Sequence, residues 1–112
     1  MFFSNKIRLL IAPEKRLCVI HFQKSALEKI AKDLKKRKTA RYIFLTDEIT
    51  YGIHGKSLEK ICKKEEIETK FFTIPSGEKY KNLKTVESLT EKMVEQGVNR
   101  ADVLVGLGGG VI

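Results

Sequence analysis

Four short runs are almost free of polar alternation: residues 17–21 (Leu-Cys-Val-Ile-His), 42–46 (Tyr-Ile-Phe-Leu-Thr), 69–73 (Thr-Lys-Phe-Phe-Thr) and 103–107 (Val-Leu-Val-Gly-Leu). Aliphatic and β-branched runs of this length suit parallel strands covered on both faces. Residues 8–12 form a possible fifth strand, ended by Pro13, which would pair with 17–21 as an edge hairpin. Between the runs the apolar spacing changes to that of helices. Ser25 and Glu28 make a capping-box pair ahead of Leu27, Ile30, Ala31 and Leu34. Leu58, Ile61 and Cys62 share one face of a second helix, whose front end, Tyr51-Gly52-Ile53-His54-Gly55, is weakened by two glycines. A third helix runs from about residue 83 to 96, with Val86, Leu89, Met93 and Val94 in one stripe, Asn82 as N-cap and Gly97 as stop. Strands alternating with helices predict right-handed crossovers and an α/β fold: a Rossmann-like, mostly parallel sheet with helices on both faces.

At 112 residues the chain is one domain, with no internal repeat or low-complexity linker. No apolar run approaches the ~20 residues that span a bilayer, and the first residues, Met1-Phe2-Phe3-Ser4-Asn5-Lys6, do not build a secretory signal. Cys18 and Cys62 sit inside apolar patterns without metal-ligand spacing, which reads as buried free thiols of a cytoplasmic protein. The net charge of +8 raises the possibility of a polyanionic partner. The lysines are, however, scattered among glutamates, and the densest run, Lys35-Lys36-Arg37-Lys38, falls at a helix C-terminus, where cations complement the helix dipole. No aromatic-interleaved basic motif points to nucleic acid. A non-catalytic basic module remains the competing reading; it requires lysines gathered on one face.

In parallel α/β sheets ligands bind beyond the carboxyl ends of the strands. Three loops deserve inspection there. Gly108-Gly109-Gly110 follows the last strand and removes three side chains in a row, allowing positive φ and close approach of a phosphate; a plain turn has the same composition. The middle loop, Ile74-Pro75-Ser76-Gly77-Glu78-Lys79-Tyr80-Lys81-Asn82, is longer than the usual connection. In it Glu78 and Lys81 stand one helical turn apart, as ligand groups or as an exposed ion pair. Asp47, just past a strand end, can accept from a ribose diol or cap the next helix. His21 and His54 have no partner at metal-ligand spacing and read as structural or surface residues.

Taken together, Thr46-Asp47-Glu48, the P-x-G-E-x-x-K segment Pro75 to Lys81, and the G-G-G-V-I segment Gly108 to Ile112 resemble the N-terminal domain of the 3-dehydroquinate synthases, in the sugar-phosphate cyclase superfamily. The match runs from about Tyr42 to Ile112. The first forty residues follow only the pattern, and His21-Phe22-Gln23-Lys24 stands where family members often carry glycines. The resemblance implies NAD as cofactor, held by Asp47, by Ser76, Gly77, Glu78, Lys79, Tyr80 and Lys81, and by Gly109, Gly110, Val111 and Ile112. It also implies conversion of 3-deoxy-D-arabino-heptulosonate 7-phosphate to 3-dehydroquinate and phosphate, on the shikimate route to aromatic amino acids. In that reaction NAD+ is transiently reduced and a divalent metal, zinc or cobalt, takes part. The family's metal ligands, a glutamate and two histidines, and its substrate-binding residues belong to a second, helical domain. Residues 1–112 are therefore expected to be the NAD-binding part of a larger, homodimeric, cytoplasmic enzyme, cut at the glycine turn and inactive alone. Another cyclase, or a polyol dehydrogenase with a similar glycine turn, is the enzyme alternative.

Overall fold

A computed structural model describes residues 6–11, 16–21, 25–36, 41–109 and 112. The elements are β1 (Lys6–Ile11), β2 (Arg16–His21), α1 (Ala26–Lys36), β3 (Tyr42–Asp47), a single turn α2 (Glu48–Thr50), a π-helical turn (Tyr51–Gly55), α3 (Lys56–Lys64), β4 (Thr69–Ile74), a 3₁₀ turn (Glu78–Tyr80), α4 (Leu83–Glu95) and β5 (Val103–Leu107).

The sheet that carries the architecture has the order β4-β3-β5, with both pairings parallel. Central β3 is the most enclosed strand. Phe44 lies opposite Phe71 and Val105, Leu45 opposite Phe72 and Gly106, and Thr46 opposite Thr73 and Leu107. Successive side chains leave a strand on opposite faces. Tyr42 and Phe44 thus meet Ala31 and Leu34 of α1 and Leu58 and Cys62 of α3 in one buried cluster. Phe44 stacks on Phe71 with ring centroids 4.6 Å apart. The Tyr42 hydroxyl donates to the Leu34 carbonyl at 2.7 Å, satisfying a buried phenol and a helix-end carbonyl at once. α4 packs from the other side, where Leu45 and Ile74 face Leu83, Val86 and Leu89 across an open hollow. Helices cover both faces, as the alternation of patterns predicts.

The helix ends follow from local chemistry. Asn82 caps α4, its Oδ1 accepting from the Thr85 N–H at 2.9 Å. Gly97, at φ +79°, ends it, with Gly97 N–H donating to the Val94 carbonyl and Val98 N–H to the Met93 carbonyl, both at 3.0 Å. The two glycines before α3 do not break the helix but widen it. A Cβ on Gly55 would stand 2.5 Å from Cδ2 of Tyr51, so only glycine lets that ring lie against the turn. The ring is also held by a tilted contact with Phe71 and by its hydroxyl donating to Glu59. At the opposite end of the sheet, Arg41 grips Asp102 with two nitrogens, at 2.8 and 3.2 Å, and the Gly97 carbonyl at 2.8 Å. That clamp ties together the starts of β3 and β5 and the end of α4.

Two expectations need correction. The run at 17–21 is not a strand of the parallel sheet: β2 pairs antiparallel with β1 in a two-stranded hairpin, the edge-hairpin alternative. And β5 is not covered on both faces. Its burial alternates, with Leu104 60% exposed, because among the described residues only the α1/α3 side supplies it with a packing layer. The α4 stripe shares this exposure: Leu89 and Met93 are half-buried, but Val86 and Val94 are exposed. Among the described residues no helix is long and apolar enough to cross a membrane.

Candidate functional site

Because β3, β4 and β5 run parallel, their carboxyl ends lie along one edge of the sheet. Asp47 ends β3. Its extended backbone (φ −96°, ψ 166°) makes it the N-cap of the helical segment that begins at Glu48. Oδ1 accepts from the Thr50 N–H at 2.8 Å and from the Ser76 hydroxyl at 2.9 Å, and Oδ2 accepts from the Thr50 hydroxyl at 2.8 Å. The Ile49 N–H reaches the Ser76 hydroxyl at 3.4 Å. The Thr50 N–H and then its hydroxyl hold the Asp47 carboxyl below its ordinary pKa; they outweigh partial burial, and Ser76 and Ile49 add to the effect. The third strand end closes the group: a Cβ on Gly108 would lie 3.7 Å from Asp47 Oδ2. Asp47 therefore sits where all three strand-end loops converge.

The middle loop turns at Gly77, whose φ of +118° suits glycine alone. The Tyr80 N–H donates to the Gly77 carbonyl at 3.1 Å and the Lys81 N–H to the Glu78 carbonyl at 3.0 Å. The 3₁₀ turn spans Glu78–Tyr80, and Lys81 follows as its C-cap, joined to Glu78 by that backbone bond. Glu78, Lys79 and Lys81 are exposed, and Tyr80 is half-buried with the Lys79 Nζ 5.0 Å from its ring centroid. Ser76 points back to Asp47, whereas Tyr80 and Lys81 border a hollow of about 380 Å³ that extends past Leu45 to Ile112. A larger hollow of about 530 Å³, lined by Pro75, Lys79, Lys84 and Lys92 among others, has neither Asp47 nor the described glycines in its lining.

The glycine turn is described only as far as Gly109, and at Ile112. Neither Gly108 nor Gly109 takes a positive φ; Gly110 and Val111 lie outside the described residues. Gly108 is needed instead for space. A Cβ there would meet Cγ1 of Ile112 at 2.6 Å, so Ile112 folds back over the end of β5. Gly109 has open space around it.

Thr50, which the sequence reading did not single out, supplies two of the Asp47 contacts. Its signal was present as the D-x-x-T spacing of a capping residue. His54 is exposed, and His21 lies in β2 with its side chain outside the described residues. Cys62 is a buried free thiol whose pKa is pushed up by burial; the Cys18 side chain lies outside the described residues. Among the described residues no group of three or more His, Cys, Asp or Glu side chains could hold a metal ion. Lys29, Lys32, Lys35 and Lys36 gather on α1, but Lys29 pairs with Asp33 and Lys35 with Glu65, both at 3.2 Å.

Fold and site together define an α/β domain with a Rossmann-like parallel sheet and a polar cluster at its carboxyl edge. A sequence profile described as iron-containing alcohol dehydrogenase matches residues 21–112, and the chain belongs to that family. It is 27% identical over 111 residues to a 3-dehydroquinate synthase of Prochlorococcus marinus strain MIT 9215, covering 96% of this chain and 31% of that protein. It is 35% identical over 72 residues to a 3-dehydroquinate synthase of Enterococcus faecalis, covering 64% of this chain and 20% of that one. The chain thus spans about a third or less of the length of these curated relatives. Among solved structures, 2-deoxy-scyllo-inosose synthase complexed with carbaglucose-6-phosphate, NAD+ and Co2+ shares the fold, with a TM-score of 0.78 at 23% identity over 95% of this chain and 28% of that one. Another structure of a 2-deoxy-scyllo-inosose synthase gives a TM-score of 0.73, also at 23% identity.

Proposed function

We propose that this chain is the NAD-binding domain of a sugar-phosphate cyclase of the 3-dehydroquinate synthase type. The observation that carries the reading is the convergence of Asp47, the loop Ser76 to Lys81 and the Gly108-Gly109 turn at the ends of three adjacent parallel strands. These residues suit a dinucleotide. Asp47, held as a carboxylate, is an acceptor for ribose hydroxyls. Glu78 and Lys81, exposed on one turn, offer an acceptor and a cation. Gly109 leaves room for a pyrophosphate against bare backbone. NAD+ supplies a reversible hydride acceptor for a hydroxyl of the substrate; the residues of this chain orient it. The described residues do not form a metal site, so the zinc or cobalt chemistry of such an enzyme, and the binding of the sugar phosphate, belong on this reading to other parts of the parent protein.

Two measurements test the proposal. The chain, joined to the metal- and substrate-binding portion of the Enterococcus faecalis relative, is expected to release phosphate from 3-deoxy-D-arabino-heptulosonate 7-phosphate in an NAD-dependent manner. In the same protein Glu78→Ala and Lys81→Ala weaken NAD+ binding and leave the fold intact by circular dichroism. Unchanged cofactor affinity in both variants refutes the assignment of the loop. A folded chimera that does not bind NAD+ refutes the cofactor reading.

A further inference from the structure

We infer that the outer edge of β4, with the lysine-lined groove between it and α4, is a docking site for an extended acidic segment of a partner protein. The inference goes beyond the cofactor reading and does not rest on it. β4 ends the sheet on one side, in the order β4-β3-β5. It pairs only with β3, so among the described residues the outward N–H and C=O groups of Thr69–Ile74 have no strand partner. Such an edge is a template on which another extended chain adds by main-chain hydrogen bonds. Two hollows, of about 530 and about 350 Å³, share Thr73 and Lys92 in their walls. Together the walls take in β4 from Lys70 to Ile74 and α4 from Lys84 to Glu95. Thr73 is exposed there, between buried Phe72 and Ile74.

Charge selects the partner. Lys79, Lys84 and Lys92 border the larger hollow and Lys70 the smaller, against one carboxylate, Glu95. Lys70 Nζ donates to the Gln96 carbonyl and to its Oε1, both at 2.9 Å, which ties the end of α4 to β4. Among the described residues Lys79, Lys84 and Lys92 form no ion pair, unlike Lys29 and Lys35 of α1. Lysines along a strand edge oppose its pairing with a second copy, because the two-fold contact brings like charges together. A strand that carries carboxylates meets the same lysines with opposite charge.

The probe is a fluorescein-labelled peptide of alternating glutamate and valine, matched in length to the six residues of β4. It is titrated into the chain by fluorescence anisotropy, and the contact is mapped by amide chemical shifts. Binding is expected to weaken as salt rises, with the shifts centred on Lys70 to Ile74. Lys84→Gln and Lys92→Gln each weaken it by roughly two- to fivefold, the range for exposed ion pairs, and Lys32→Gln on α1 leaves it unchanged. Two further peptides of the same charge carry N-methyl groups on alternate amides, one in each phase. The phase that turns its methyls toward β4 loses main-chain bonds and is expected to bind roughly tenfold more weakly or worse, while the other keeps its affinity. Equal binding of both methylated peptides, shifts centred on α1, or equal binding of a single-stranded oligonucleotide of the same charge shows attraction by charge alone and overturns the proposal. Self-association of the chain through β4 overturns it too, as does failure of the unmethylated peptide to bind.

Discussion

Thr46 offers the sharpest test of the packing. It is fully buried in central β3, beside Thr73 and Leu107, and its hydroxyl has no hydrogen-bond partner among the described residues. Burying a hydroxyl without a partner costs on the order of 1–3 kcal/mol. Thr46→Val replaces that hydroxyl with a methyl of nearly the same size and keeps the β-branched rotamer preference of a strand residue. The Val methyl also gains transfer free energy that the hydroxyl does not. Allowing for imperfect fit in a 0% exposed site, the expected gain is about 1–2 kcal/mol. For a chain of this size each kcal/mol corresponds to roughly 4–8 °C in Tm. The assay is urea unfolding followed by circular dichroism, supported by calorimetry: the midpoint rises and the m-value stays the same. Thr46→Ser separates hydroxyl from shape, since it keeps the oxygen and loses a methyl; it should fall below the unmodified chain. A destabilised Thr46→Val together with an unaffected Thr46→Ser would refute the reasoning, because the hydroxyl would then be making a bond worth keeping.

Gly55→Ala is expected to destabilise by about 1–3 kcal/mol in urea, since its Cβ would stand 2.5 Å from a Tyr51 ring that Phe71 and Glu59 keep from moving; a neutral variant would show that the ring is free to shift. Leu58→Ala, at 1% exposure between α1 and β3, should lose about 2–5 kcal/mol by the same assay, and a loss under 1 kcal/mol would mean the cluster is loosely packed. Asp47 and Asp102 both have pKa values below the ordinary carboxylate range, Asp47 through Thr50 and Asp102 through Arg41. Their stabilisation is complete above the unfolded carboxylate pKa, near 4, and is lost as pH falls through the lower folded values. Acid unfolding measured from pH 6 downward should therefore flatten in the Asp47→Asn, Asp102→Asn double variant, and an unchanged acid limb would disprove the linkage.

The sequence resolved most of what local chemistry decides. The runs around Tyr42, Thr69 and Val103 were legible as strands because enclosed parallel strands are apolar on both faces, and Asn82 and Gly97 marked the ends of α4 because caps and left-handed stops are chosen by residue type. What remained hidden depends on tertiary partners. Nothing in Val-Leu-Val-Gly-Leu says whether a helix covers both sides, and here Leu104 is left exposed. The glycines of Tyr51-Gly52-Ile53-His54-Gly55 lower helix propensity, yet the turn is helical because Gly55 makes room for the Tyr51 ring, which is anchored 20 and 8 positions further along the sequence, at Phe71 and Glu59. Gly108 signalled backbone freedom and turned out to provide space for Ile112.

Asp47 is the case in which sequence reasoning left two roles open, helix cap and ribose ligand, and the geometry explains why the residue type cannot separate them. A cap needs an ionised acceptor whose orientation is set by the first turn of the helix, and Thr50 meets that need with a backbone and a side-chain donor. A ligand group needs the same two properties, ionisation and a fixed direction, supplied before the ligand arrives. The capping bonds also depress the Asp47 pKa. One set of hydrogen bonds therefore prepares the carboxylate for either task, and the element that favours the second is not in the helix at all. It is Ser76, thirty residues on in round terms, reaching back from the next strand end to the same oxygen. A cap has no need of that third donor from another loop; on the proposed cofactor reading it is what holds the carboxylate between two loops.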